Sequence, residues 1–294
     1  MAIEALPLRQ RAEQLAASLP PLLVAAERVA TTIVQGVHGR RRVGQGETFW
    51  QYRHYEPGDT PQLIDWRQSA KSDHVFVREL EWEAAQSVWL WCDRSPSMDW
   101  HSNPNLPEKR SRAELLTLSL ASLLLRGGEH VALLGSNRRP VSGRGALTHL
   151  AHALGTKTEE SASDLPPVHP LPRSAQVVFM GDFLAPLDEI HGLISAYAER
   201  DIRGHLLQVL DPAEESLPYD GRVRFESLEG EESWLLSKVE AVRGDYKSRL
   251  KAQRDALAAM TRTAGWTFGC HHTDRSPQSA LLALYTTLSR VVGK

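Results

Sequence analysis

Two aspartates and two serines stand out by type and spacing. The run Val88-Trp89-Leu90-Trp91-Cys92-Asp93-Arg94-Ser95-Pro96-Ser97-Met98 places an aspartate at the end of an apolar stretch, with serines at alternate positions after it. A second aspartate closes a later apolar stretch, Val177-Val178-Phe179-Met180-Gly181-Asp182. Hard cations such as Mg²⁺ take oxygen ligands in near-octahedral geometry. Hydroxyls on alternate residues of an extended turn can point the same way, and Asp93 would add charge directly or through a bound water. Asp and Ser also follow strands because they cap the next helix or shape the turn. Spacing alone therefore leaves both a metal site and a helix-capping turn open.

The elements that must position these groups are legible as a pattern. Apolar runs at Val88–Cys92, Val131–Gly135, Val177–Met180, His205–Leu210 and Trp266–His271 alternate with helical spacing near 110–126, 146–154, 187–200, 239–264 and 277–292. Alternation of this kind predicts an α/β fold, a doubly wound, mostly parallel, Rossmann-like sheet with helices on both faces. Parallel strands would bring Asp93 and Asp182 to the same sheet edge, where ligands of such folds bind. Two stretches break the alternation. Residues 155–174 are polar and proline-rich, and residues 222–236 read as a hairpin turning at Glu229-Gly230.

The first third is different. Residues 8–35 carry apolar side chains at helical spacing, interrupted at Pro20-Pro21. Residues 36–82 suggest short strands and turns. The chain thus divides into an N-terminal helical segment (1–35), a β-rich segment (36–82) and an α/β domain (83–294). In the middle segment Pro57-Gly58-Asp59 reads as a turn. Arg53, Asp65 and Arg78 suit an ion-pair network pinning the segment, and the aromatics from Phe49 to Trp66, Tyr55 among them, suit a core. The Arg40-Arg41-Arg42 run reads as a solvated loop.

Composition narrows the function classes. The chain has 294 residues, 41% hydrophobic and 24% charged, with a net charge of -2, which argues against a disordered chain and against a polybasic nucleic-acid binder. Its two cysteines, Cys92 and Cys270, are too few for a disulfide framework or a four-cysteine zinc site and read as buried, reduced thiols. The N-terminal residues lack the order of a signal peptide, and the longest apolar segment, Leu115–Leu125, reads as a core helix. The expectation is a cytoplasmic protein without direct membrane insertion. No Gly-x-Gly-x-x-Gly follows the first strand of the sheet, and no Gly-x-x-x-x-Gly-Lys-Ser/Thr or Gly-x-Ser-x-Gly occurs, so no nucleotide and no serine-hydrolase chemistry is expected. His271-His272 reads as polar strand-end residues.

The motifs together resemble one family. Gly44-Gln45-Gly46-Glu47-Thr48-Phe49, Arg53-His54-Tyr55-Glu56-Pro57-Gly58-Asp59, Ile64-Asp65-Trp66, Ser69-Ala70-Lys71, Val77-Arg78-Glu79 and Asp93-Arg94-Ser95-Pro96-Ser97-Met98 are similar, in order and type, to the MoxR-associated, von Willebrand factor A-like family catalogued as a domain of unknown function (number fifty-eight). Gly181-Asp182-Phe183 and Asp211-Pro212 extend the resemblance, which spans about residues 36–290. It implies a von Willebrand factor A-like sheet and a metal-ion-dependent adhesion site. Ser95 and Ser97 would then bind Mg²⁺ (or Mn²⁺ or Ca²⁺) directly, Asp93 and Asp182 would act through waters, and a partner carboxylate would complete the shell. The family's threonine in the loop after the second strand has no counterpart in Ser136–Gly145; Ser142 or Thr148 could substitute, or Arg144 could supply a positive charge instead. The family's serine before the second aspartate is Gly181 here.

The implied role is a non-enzymatic protein-binding module. It would be an adaptor or co-chaperone of a MoxR-type AAA+ ATPase, and of other von Willebrand factor A-domain proteins, docking through Asp93, Ser95, Ser97 and Arg144. The alternative is a metal-assisted phosphohydrolase using Asp93 and Asp182. Such enzymes want a second aspartate where Ser95 stands, and no lysine lies at a strand end near Asp182.

Overall fold

The computed structural model describes residues 43–55, 64–71, 74–81, 87–136, 139–143, 145–155, 163–173, 175–228 and 233–290. The expected helices of 8–35, the Pro57-Gly58-Asp59 turn and Arg144 lie outside the described residues, as do the side chains of Arg53 and Arg78. The chain forms two units, one holding the described residues from 87 to 289 and the other those from 43 to 81.

The larger unit is the expected α/β sheet. Its strands are β3 (Ser87–Cys92), β4 (His130–Leu133), β5 (Gln176–Gly181), β6 (Arg203–Leu210) and β9 (Thr267–His272). They lie in the order β4-β3-β5-β6-β9, and every pairing is parallel. The chain first winds from β3 toward β4 and then from β5 outward through β6 and β9, so the direction reverses between β3 and β5. That crevice is the topological switch point of the sheet. An isolated antiparallel bridge joins Val131 to Val141 at the β4 edge.

Each strand must be apolar on both faces because helices cover both. Below one face, Val88, Leu90, Val178, Met180, Leu207 and Val209 pack with α2 (Lys109–Arg126), α3 (Ala146–Gly155) and α7 (Pro277–Arg290). On the other, Trp91, Val177, Phe179 and Leu206 pack with α4 (Leu187–Ala198) and α6 (Val239–Thr263). The second core is built on aromatic edges: the Phe179 ring lies 5.6 Å from Trp266 and 5.8 Å from Tyr197, both T-shaped. A short helix α5 (Pro212–Ser216) follows β6, and the expected hairpin forms from β7 (Val223–Glu226) and β8 (Ser233–Leu236). Among the described residues no helix is long and apolar enough to cross a membrane.

Two expectations about burial are corrected. Cys92 is buried, but Cys270 is exposed, because β9 is the edge strand and Cys270 alternates with the buried His271. In the smaller unit, β1 (Val43–His54) pairs antiparallel with β2 (Phe76–Glu81) and α1 (Trp66–Ser69) forms one turn. Two strands and a turn bury little. Trp66 is 68% exposed, and Tyr52 and Tyr55 are exposed too, so these aromatics are not the core expected of them. Asp65 caps α1, accepting the Gln68 N–H at 2.9 Å, and accepts the Tyr52 hydroxyl at 3.3 Å.

Gly204 in β6 lies under the indole of Trp266, and a Cβ there would stand 2.3 Å from the ring. Gly204→Ala is therefore expected to lower unfolding free energy by about 1–3 kcal/mol through overpacking. Urea denaturation followed by tryptophan fluorescence measures it.

Candidate functional site

The switch point gathers the tips of three neighbouring strands. Asp93 follows β3, Asp182 follows β5 and Asp211 follows β6. The first two are held in register by the ladder itself, since the Asp93 N–H donates to the Met180 carbonyl at 2.8 Å. All three aspartates are buried.

The loop after β3 is shaped by its own sequence. Pro96 restricts the residue before it, and Ser95 is extended at φ -59 and ψ 159. Pro96–Met98 then forms a short 3-10 turn. Asp93 Oδ1 accepts the Ser95 N–H at 2.9 Å, the capping geometry that the spacing also allowed. The Ser95 and Ser97 hydroxyls lie 3.0 Å apart, and Ser97 donates to Asp182 Oδ2 at 2.8 Å. Ser95 is buried, Ser97 half-buried and Pro96 exposed. The first turn of α2 locks this loop from behind: Arg110 donates to the Arg94 carbonyl at 2.6 Å and pairs with Asp99 at 2.8 Å.

Two residues that the motif reading missed complete the cluster. Lys109, the first residue of α2, is 1% exposed. Its Nζ lies 2.9 Å from Asp182 Oδ2 and 2.6 Å from Glu214 Oε1. Glu214 belongs to α5, where Asp211 and Glu214 form a reciprocal capping box: Asp211 Oδ1 accepts the Ala213 N–H and Glu214 Oε2 accepts the Asp211 N–H, each at 2.8 Å. Asp211 Oδ2 also accepts the Ser102 N–H at 2.9 Å. A continuous polar chain thus runs Ser95–Ser97–Asp182–Lys109–Glu214–Asp211. Both missing residues left sequence signals. A lysine opening a helix opposes the helix dipole and needs a compensating anion, and Asp-Pro-x-Glu is a capping-box signature.

Burial and charge set the protonation states. Burial pushes the Asp93 carboxyl up from 3.8 to about 7, the nearby Asp182 charge pushes the same way, and the Ser95 hydrogen bonds oppose them. Asp93 Oδ2 is buried without a hydrogen-bond partner. Burial alone would lower the Lys109 ammonium, but the Asp182 and Glu214 carboxylates outweigh it and hold its pKa above the ordinary value. Past Asp182 the backbone is strained: Phe183, buried, sits at φ 50, a region that bulky residues rarely occupy. Its carbonyl accepts from Gln253 at 2.7 Å, and Gln208 donates to the Asp182 carbonyl at 2.8 Å. Together these fix the aim of Asp182. Leu184, next along, is 46% exposed at the rim.

The four predicted residues Asp93, Ser95, Ser97 and Asp182 therefore come together. Ser142 and Thr148 are exposed on the segment after β4 and on α3. The neighbouring His271 is buried beside Arg112, and burial, with that guanidinium, lowers its pKa to about 4, so it stays neutral. His272 lies 2.5 Å from Glu215.

A parallel doubly wound sheet with a buried polar cluster at its switch point defines the class, an α/β protein of Rossmann-like sheet. The chain belongs to the family described as "Protein of unknown function DUF58", whose model matches residues 51–256. It is 26% identical over 276 residues to an uncharacterized protein of Mycobacterium bovis, and equally to uncharacterized proteins of two Mycobacterium tuberculosis strains, covering 89% of this chain and 86% of each relative. The crystal structure of the conserved hypothetical protein BatB from Bacteroides thetaiotaomicron superposes with a TM-score of 0.37 at 14% identity, covering 71% of this chain and all of that one.

The raised Asp93 pKa makes stability pH-dependent. Between about pH 4 and 7 the folded protein holds a proton that the unfolded chain has released, so this stabilising term is full below pH 4 and is lost as pH rises through 7. Asp93→Asn cannot ionise. Between pH 4.5 and 8 the stability of the Asp93→Asn protein is expected to gain on the wild type by about 1–4 kcal/mol, read by urea denaturation at both pH values.

Proposed function

We propose that the chain is a non-catalytic binding module that docks a partner protein on the C-terminal edge of its sheet. The partner that suits it is a MoxR-type AAA+ ATPase, as the family resemblance implies. The observation that carries this reading is the make-up of the edge. A hydrogen-bonded polar cluster fills the switch point, with the half-buried Ser97 hydroxyl held on Asp182, and the exposed Pro96 and Leu184 stand in the two loops that carry them. Apolar side chains beside one oriented hydroxyl make a protein-recognition surface. The sheet order and the antiparallel Val131–Val141 bridge favour the finer von Willebrand factor A-like reading of the fold.

The phosphohydrolase reading is less well supported. A nucleophilic aspartate must reach its substrate, and Asp93 is fully buried with Oδ1 occupied by the Ser95 N–H. In this arrangement the donor set does not fit a divalent ion either. The Asp182 oxygen that would face it already accepts from Lys109 and Ser97. Each pair of unit like charges about 4 Å apart at an effective dielectric near 20 repels by about 4 kcal/mol, and a divalent ion beside the ammonium doubles this.

The test is binding of a MoxR-type ATPase from the same genome to surface variants of the full chain. Leu184→Asp is expected to weaken binding about tenfold or more without changing the thermal midpoint, since the side chain is 46% exposed. Arg173→Glu, exposed ahead of β5 at the opposite end of the strands, should bind like wild type. Equal affinity of the Leu184→Asp protein and wild type, or no binding by either, contradicts the proposal.

A further inference from the structure

We infer that the Lys109 ammonium is the resident cation of the switch-point cluster, standing where a divalent ion would otherwise bind, so that the site is complete without a metal. Three observations converge on this. Asp182 Oδ2 is shared between Lys109 Nζ at 2.9 Å and the Ser97 hydroxyl at 2.8 Å. Lys109 Nζ is held from its other side by Glu214 Oε1 at 2.6 Å, and Glu214 is itself fixed by its second oxygen to the Asp211 N–H. The lysine is 1% exposed, so its ammonium is held out of water between the two carboxylates. The two carboxylates, Asp182 and Glu214, thus converge on the ammonium.

Gly181 belongs to the same arrangement. A Cβ at that position would stand 2.7 Å from Asp93 Cβ and 2.9 Å from Asp93 Oδ2. The Asp93 carboxyl thus lies against the β5 backbone in space that a serine would fill. Asp93 is tied to the Ser95 N–H and serves the loop's shape. The two hydroxyls are committed as well, Ser95 to Ser97 and Ser97 to Asp182. An ammonium in this position does what a cation does for the loop: it neutralises Asp182, which accepts from Ser97 and so ties the loop after β3 to the sheet.

This deepens the docking reading and rests on it for one consequence, that partner recognition at Ser97 needs no metal-bridged carboxylate. The lysine's role is tested on the isolated full-length chain, so its failure is read separately from any failure of the partner to bind. Wild type, Lys109→Met, Lys109→Gln and Lys109→Met/Asp182→Asn are titrated with Mn²⁺ by calorimetry and melted in MgCl₂ or in EDTA at matched ionic strength. Wild type is expected to show no saturable Mn²⁺ binding up to about 10 mM and the same thermal midpoint, within about 1 °C, in both buffers. The lysine variants leave Asp182 and Glu214 without their cation. They should melt about 5 °C or more higher in Mg²⁺ than in EDTA, and the added Asp182→Asn should abolish that rescue. Saturable wild-type binding below about 1 mM that Ser97→Ala removes would overturn the inference. So would folded lysine variants that gain nothing from metal. If neither lysine variant folds, the wild-type titration decides alone.

Discussion

Removing a lysine ammonium from water costs several kcal/mol unless anions meet it, and Lys109 is met by two. This requirement organises the C-terminal edge of the sheet. Asp182 must stand at the tip of β5 and Glu214 on the first turn after β6, while α2 must begin where its first side chain can reach both. The same interaction ties the loop after β3 to the sheet, because Ser97 donates to the oxygen that Lys109 holds. Remove the ammonium and the buried Asp182 carboxylate faces the half-buried Glu214 carboxylate across the switch point with nothing between them.

The surroundings spend stability on holding this edge in one shape. Phe183 keeps a left-handed backbone that costs on the order of 1–3 kcal/mol, offset by its burial in the aromatic core and by the Gln253 bond to its carbonyl. Asp93 carries a carboxyl oxygen with no hydrogen-bond partner against Gly181. Buried polar groups that are strained or under-satisfied gather where geometry matters for binding. The rim around them, Pro96 and Leu184, is open and apolar. The edge thus combines a hydrogen-bonded interior with an exposed apolar rim.

Much of this was legible in the sequence because the sheet is covered on both faces. Such strands read as unbroken apolar runs, and their five positions, the order of helices between them and the late hairpin all follow from periodicity. The meeting of Asp93 with Asp182 follows from parallel pairing alone. Less visible was anything that depends on a helix reaching across strands. Lys109 lies outside every motif, and only its awkward place at a helix start hints at a buried anion. Glu214 hides behind a capping pattern that also serves its own short helix. Exposure was harder still. Trp66 and Cys270 are residue types that usually lie inside, but one opens a single helical turn in a two-stranded unit and the other sits on an edge strand.

Lys109 and Asp182 act as one buried unit on which the edge depends. A double-mutant cycle with Lys109→Met, Asp182→Asn and the pair together, followed by urea denaturation at pH 7, tests it directly. Each single variant leaves a buried charge without its main partner and should cost about 3–5 kcal/mol. The double variant should lose less than the sum of the two, by about 2 kcal/mol or more. Additive losses, to within about 0.5 kcal/mol, would contradict it and leave Lys109 as a buried cation with no special hold on the site.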